Sequence, residues 1–326
     1  MNKILITGGA GFVGRHLVKH LLDTGDDVHV VDPIIEFTGG INPSSGWPLY
    51  DPRDYQNFNF YKQDCRNWFK ENKDSDFDYV YHLAALVGGR LMIENNPLAV
   101  ADDLSIDASY WQWARETKPS KTACFSSSAS YPISLQKEDH YILLEEDMIN
   151  FDGNIGMPDM SYGWAKLTCE YLAQLAYEKD NLKSICYRPF SGYGEDQDDA
   201  YPFPSICKRV IQERGKNQLH VWGTGKQMRD FIHIEDCVRG VLTTIDKIDN
   251  GKAINLSTGK YTSFLEFASL AANVVGYKPE VLGMSNKPSG VFARGGDTKL
   301  QKMLGFNHQI DFRSGIEKAI EYYLTK

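Results

Sequence analysis

Tyr162 and Lys166 stand four residues apart in Tyr162-Gly-Trp-Ala-Lys166, a spacing that brings both side chains to one face of a helix. An ammonium beside a phenol stabilises the phenolate, lowers the phenol pKa and so prepares a general base. The serine run Ser126-Ser-Ser-Ala-Ser130 lies upstream. A hydroxyl from it can orient a substrate hydroxyl and donate to a developing alkoxide or ketone. Together these groups can take a proton from a carbinol oxygen while hydride leaves its carbon. That chemistry needs a hydride acceptor beside them; without one, a Tyr-x-x-x-Lys pair is an ordinary feature of a helix surface.

The stretch Ile4-Leu-Ile-Thr-Gly-Gly-Ala-Gly-Phe-Val-Gly14 supplies a place for such an acceptor. A short apolar run with β propensity meets a glycine cluster, and a helical pattern follows from Phe12 to about Leu22. Gly8, Gly11 and Gly14 suit a turn, a close backbone approach to a phosphate and tight helix–strand packing. The helix N-terminus points free N–H groups and a positive dipole end at an anion. A second strand, Val28-His-Val-Val-Asp32, follows Gly25. It ends in an acid about twenty positions beyond the glycines, where a carboxylate reaches the adenosine ribose hydroxyls of a dinucleotide. An acid there repels the additional phosphate of NADP, so the expected cofactor is NAD, and Lys166 can hold a ribose hydroxyl of it.

The elements that must position these groups alternate through roughly the first 190 residues. The patterns predict further strands over 58–62, 77–82, 121–125 and 182–187, and helices over 97–117 and 161–178. This alternation predicts an α/β fold, a Rossmann-type doubly wound parallel sheet covered by helices on both faces. Ligands of such sheets sit beyond the carboxyl ends of the strands. Gly8, Asp32, Asp64, Ala84-Ala85, the serine run and Arg188 all fall at those ends, which predicts one continuous crevice. The loop from Gly39 to Pro52 is too long for an ordinary connection and reads as functional or mobile. Past Gly194 shorter elements are expected over 201–214, 218–222, 229–233 and 253–257, with helices after Asp236 and over 264–275, 300–304 and 314–324. They read as a smaller mixed α/β lobe with some segments returning to the main sheet.

At 326 residues the chain can bury a substantial core. Its formal charge of −8, with no basic stripe or tail, argues against nucleic acid as a partner. Cys65, Cys124, Cys169, Cys186, Cys207 and Cys237 form no CxxC pair and have no zinc-like spacing, which reads as buried thiols in a reducing compartment. No metal site is expected: the acidic run Glu195-Asp-Gln-Asp-Asp199 reads as a solvated lip, and His82 and His233 as structural. The apolar start ends in the glycine turn rather than a cleavage-type segment, and no run is long enough to span a membrane. A cytoplasmic protein with no membrane partner is the expectation.

At this point the chain resembles the extended short-chain dehydrogenase/reductases of the nucleotide-sugar epimerase/dehydratase family. The carriers are TGGAGFVG (7–14), Asp32, Asp64, HLAA (82–85), SSSASYP (126–132), YGWAK (162–166), RPFSGYG (188–194) and RDFIHIEDCV (229–238), in the family's order over most of the chain. The resemblance implies a tightly held NAD, a nucleotide-sugar substrate, a transient 4-keto sugar and a homodimer formed through the helices near 97–117 and 161–178. It assigns Gly8, Gly11, Phe12 and Val13 to the pyrophosphate, Asp32 to the ribose and Asp64 to the adenine side. Leu83, Ala84 and Ala85 would line the cofactor, with Pro189 near the nicotinamide. Ser127 matches the catalytic Ser/Thr beside Tyr162 and Lys166, and Ser128 is its near competitor. Arg229 matches an arginine used on the substrate diphosphate, a group well suited to forked guanidinium donors. A NAD-binding domain over 1–190, with segments near 229–257 returning to it, and a substrate lobe mainly over 191–326 follow from the same comparison.

The stretch Lys287-Pro-Ser-Gly-Val-Phe-Ala-Arg-Gly-Gly-Asp297 and Val87-Gly-Gly89 resemble GDP-mannose 3,5-epimerase and GDP-fucose synthase, which makes Arg294 a second diphosphate ligand. Val87, Gly88, Ser128 and Ser191 complete the residues assigned to substrate, although many relatives carry asparagine where Ser191 stands. Those two enzymes place a cysteine two residues after the catalytic serine, and this chain has Ala129. Dehydratases place Asp-Glu after the catalytic Ser/Thr, whereas Ser128-Ala129 supplies no acid to expel water. What remains is chemistry needing only Tyr, Lys, Ser and NAD. The leading reading is C4 epimerisation of a nucleotide hexose, GDP- or UDP-linked. A GDP-sugar 4-dehydrogenase and a variant GDP-sugar 3,5-epimerase are the enzyme alternatives. A NAD-binding regulatory protein without catalysis is the alternative of a different class, and the intact Tyr162, Lys166 and Ser127 argue against it.

Overall fold

In the computed structural model, which describes residues 1–86, 90–153, 155–287 and 290–326, the first apolar run forms strand β1 (Lys3–Thr7). Ile4 and Ile6 face one core and Leu5 the opposite one, and all three are fully buried. A strand of this kind has to be covered on both faces, as in a parallel α/β sheet. After it come α1 (Phe12–Asp23), β2 (Asp27–Val31), β3 (Phe58–Tyr61), α2 (Cys65–Glu71), β4 (Tyr79–His82), α3 (Arg90–Asn95), α4 (Pro97–Val100), α5 (Asp103–Thr117) and β5 (Lys121–Phe125). A short hairpin of β6 (Gln136–Lys137) and β7 (His140–Tyr141) precedes α6 (Met160–Asp180) and β8 (Ser184–Pro189). The remainder is α7 (Pro202–Gln212), β9 (Gln218–Trp222), β10 (Met228–Arg229), α8 (Ile234–Thr244), β11 (Asn250–Leu256), β12 (Thr262–Ser263), α9 (Phe264–Val275), β13 (Glu280–Met284), β14 (Ala293–Arg294), α10 (Lys299–Met303) and α11 (Phe312–Thr325).

Seven strands lie side by side in the order β11-β8-β5-β4-β1-β2-β3, every neighbouring pair parallel. The chain thus winds outward from β1 in both directions, which opens a crevice at the carboxyl ends of β1 and β4. Leu17, Val18 and Leu21 of α1 and Cys237, Val238 and Val241 of α8 cover one face. Trp68 and Phe69 of α2, Ile106 and Tyr110 of α5, and Cys169 and Ala173 of α6 cover the other. A separate core joins Phe203 of α7, Phe267 of α9 and Ile316 of α11 with Leu219 of β9; within it the Phe231 and Phe312 rings stack at 4.5 Å. Beside it β10 lies between β12 and β14, and β9 pairs with β13.

The structure departs from the sequence expectations in several places. The helix expected over 97–117 is two helices, α4 and α5, separated by a tightened turn in which Asp102 N donates to Ala99 O and Leu104 N to Ala101 O, both at 3.1 Å. The long loop after β2 is a packed structure: Asn42 and Asp51 cap short 3₁₀ turns, and Trp47 is buried with its indole N–H donating to Ile41 O at 2.8 Å. The element expected over 229–233 shrinks to the two residues of β10, and β10 joins the small sheet, while β11 alone completes the large one. Among the described residues no helix is long and apolar enough to cross a membrane.

Candidate functional site

The glycine turn is built as a phosphate cradle requires. Gly8 sits at φ +72°, and a Cβ there would stand 2.8 Å from backbone atoms of Ala84. A Cβ on Gly14 would stand 2.6 Å from Gly8 O, so α1 can approach the turn only with glycine there. Gly11 is the N-cap of α1 and offers no side-chain cap, which leaves the first N–H groups of the helix, including those of Phe12 and Val13, without a side-chain acceptor. Phe12 lays its ring edge on His16, and Val13 packs on the core beneath. Leu83 and Ala84 are tied to β1, Leu83 N donating to Thr7 O at 3.0 Å, and with Ala85 they form a half-buried wall facing the turn.

Asp32 ends beside this turn, and its carboxylate accepts from Ala10 N at 3.1 Å and Ile34 N at 2.8 Å. Burial raises its pKa against those bonds. Asp64 caps α2 and pairs with Arg66 at 2.6 Å, which lowers its pKa. Pro189 is half-buried at the carboxyl end of β8. A cradle that any Cβ would fill, uncapped helix N–H groups and an acid at the next strand end fit NAD.

Tyr162 and Lys166 lie in the first turns of α6, with the lysine Nζ 5.8 Å from the phenol ring centroid. Ser127 follows β5, accepts from Ala129 N at 3.1 Å and lies close enough to Tyr162 to lower its pKa. Ser128 is buried at 5% exposure, whereas Ser127 is half-buried. Behind Lys166 the buried Asp103 carboxylate lies 4.0 Å from Nζ. The expected lowering of the phenol pKa is not what results. Burial raises it, Asp103 adds to the rise, and Lys166, Ser127 and Arg294 pull it down without winning. For Lys166 burial lowers the pKa, but Asp103 and Asp107 outweigh it, so the side chain stays an ammonium.

Arg229 and Arg294 are brought together as register partners of β10 and β14. Burial and the neighbouring Arg294 push the Arg229 pKa down to about 9, still protonated at neutral pH. Arg294 donates to Gln136 Oε1 at 2.7 Å and to Asp159 Oδ2 at 2.8 Å. Sequence reasoning missed both Asp159 and Arg90, whose guanidinium reaches the same carboxylate at 3.0 Å. Ser191 is half-buried at φ +25°, directly after the buried Phe190. Val87 and Gly88 lie outside the described residues.

Two other expectations are corrected. Arg188 does not line the crevice: it is 3% exposed, forks onto Glu170 at 2.8 and 2.6 Å and donates to Tyr131 OH at 2.9 Å. The acidic run after Gly194 is not a solvated lip throughout, because Asp196 is buried against Arg15 at 2.9 Å and His16 at 2.7 Å. Neither partner neighbours the run in sequence, so no local signal pointed to them. His82 holds Thr7 Oγ1 at 2.8 Å and Asp107 Oδ1 at 3.2 Å.

Fold and site together define a dinucleotide-dependent enzyme built on a doubly wound sheet. Residues 4–257 match the NAD dependent epimerase/dehydratase family, and the chain belongs to that family. It is 24% identical to GDP-L-colitose synthase of Yersinia pseudotuberculosis, with 99% of this chain and 98% of the relative covered. It is 28% identical to an uncharacterized UDP-glucose epimerase of Bacillus subtilis, YtcB, with 98% and 97% covered. Among solved structures, MoeE5 in complex with UDP-glucose and NAD superposes with a TM-score of 0.79 at 26% identity, with 99% of each chain covered. The UDP-glucose 4-epimerase of Thermotoga maritima with UDP-glucose gives 0.81 at 24% identity, again with 99% of each covered, and shows the shared fold. NAD is accordingly the cofactor.

Proposed function

We propose that the protein epimerises a nucleotide hexose at C4. The observation that carries this reading is the Ser127–Tyr162–Lys166 arrangement, with no acid at the two positions after Ser127. NAD supplies the hydride acceptor and donor. Tyr162 takes the proton from the sugar O4, and Ser127 orients that oxygen. Lys166, held charged by Asp103, stabilises the phenolate. Once the ketone has turned over, Tyr162 returns the proton to the alkoxide of the other epimer. Arg229 and Arg294 hold the diphosphate, so that only the sugar turns. Residues 1–190, with later segments near 229–257, serve NAD, and 191–326 mainly serve the nucleotide sugar.

The full-length similarity to GDP-L-colitose synthase supports a second reading, a GDP-sugar 3,5-epimerase or 4-dehydrogenase. A homodimer through α5 and α6 belongs to the proposal, and Trp164 and Tyr171, 40% and 46% exposed on α6, support it. The decisive experiment incubates the protein with UDP-, GDP- and dTDP-sugars in heavy water, followed by chromatography and mass spectrometry. C4 epimerisation gives a product of shifted retention with no deuterium on carbon. Deuterium on carbon would replace it with 3,5-epimerisation, loss of two hydrogens with a dehydrogenase, and loss of water with a dehydratase.

A further inference from the structure

Three guanidinia and two carboxylates meet in front of the helix that carries Tyr162. Arg90, at the start of α3, donates through Nη1 to both Asp159 oxygens at 3.0 and 3.1 Å, and Arg294 Nη2 reaches Oδ2 at 2.8 Å. Arg90 Nε also holds Glu94 at 2.7 Å. Arg229 spends its donors on the carbonyls of Met228, Val291 and Phe292, at 2.8, 3.0 and 3.3 Å. The cluster therefore keeps one positive charge in excess, and Arg229, 5.6 Å from the Phe264 ring centroid, donates among the described residues to carbonyl oxygens and to neither carboxylate.

Asp159 occupies the N-cap of α6, yet its side chain makes no cap bond. An N-cap aspartate ordinarily accepts from the second or third N–H of its helix. The backbone of Asp159 is fixed: its N–H donates to Ala129 O and its carbonyl accepts from Gly163 N, both at 2.9 Å. Only the carboxylate has two choices of partner, the arginines it now holds or the helix end it ignores.

We propose that Asp159 is a built-in stand-in for the substrate diphosphate, and that Arg90 is a third diphosphate-binding residue. This rests on the nucleotide-sugar reading above. A diphosphate offers more charge than one carboxylate, and its oxygens on two phosphorus centres suit several forked guanidinia. When it binds, Arg90 and Arg294 exchange Asp159 for phosphate oxygens. The released carboxylate then caps α6 three residues ahead of Tyr162, so substrate binding and the seating of the phenol become one event. Until then Asp159 keeps the arginines from repelling one another, and it competes with the substrate for them.

Calorimetric titration of the NAD-loaded protein with UDP, and separately with GDP, tests this without turnover. Asp159→Asn keeps the shape and a cap-forming oxygen but removes the competing charge. It should bind whichever diphosphate the wild type binds about tenfold more tightly, with affinity falling more steeply as salt rises. Arg90→Gln, at a side chain 35% exposed, should bind it about tenfold more weakly, with a shallower salt dependence. Unchanged or weaker binding by Asp159→Asn overturns the stand-in role. Wild-type affinity in Arg90→Gln overturns the third ligand. Failure of the wild-type protein to bind either diphosphate would overturn the nucleotide-sugar reading instead.

Discussion

Tyr162 is a phenol in a setting that works against its ionisation. Burial and Asp103 hold its pKa up, while Lys166, the Ser127 hydroxyl and Arg294 hold it down. If it is the base, Tyr162→Phe should lower kcat by about a thousandfold and leave NAD bound, which cofactor retention on gel filtration checks. The reactive form is the phenolate, so kcat/KM should rise with pH. Asp103→Asn removes a charge that favours the protonated phenol, and the rising limb of the pH profile should move to lower pH. A limb that stays in place would assign it to another group.

At the scale of elements, the β1–α1 turn is decided by backbone contact. In Gly14→Ala the new methyl meets Gly8 O and Gly9 Cα at 2.6 Å, atoms that cannot move without the turn. It should cost about 2 kcal/mol of stability in thermal unfolding and lose NAD binding. Gly25 is also left-handed, at φ +84°, but has nothing within 4 Å. Gly25→Ala should therefore cost only about 1 kcal/mol and bind NAD normally. The contrast separates a glycine needed for close approach from one needed for φ alone.

At the scale of the molecule, α1 is fastened to the segment after β8 and to α8 by one charge cluster. His16 stands 2.7 Å from Asp196 and 3.1 Å from Glu235, and His20 reaches the other Glu235 oxygen at 3.0 Å. Burial lowers the His16 pKa, but hydrogen bonds to the two acids outweigh it and raise the value from 6.5 to about 9. The charged form is thus favoured by folding. Its contribution, on the order of 3 kcal/mol, is complete below pH about 6.5 and is lost as pH rises through about 9. The melting temperature should fall across that window, and His16→Gln should flatten the fall. The same cluster marks where sequence reading stopped: Arg15 and Asp196 are far apart in the chain, and nothing in Glu195-Asp-Gln-Asp-Asp199 says which acid turns inward.

The residue order alone determined the doubly wound sheet, the glycine cradle, Asp32 at the next strand end and the i, i+4 placement of Tyr162 and Lys166. These depend on local periodicity and on steric rules that act within a few residues. Tertiary structure alone decided the sign of the Tyr162 shift, the burial of Arg188 and the meeting of Arg90, Asp159, Arg229 and Arg294. Each of these turns on desolvation and charge between groups that only folding brings within a few ångströms, and such energies are not written in the spacing of any one segment.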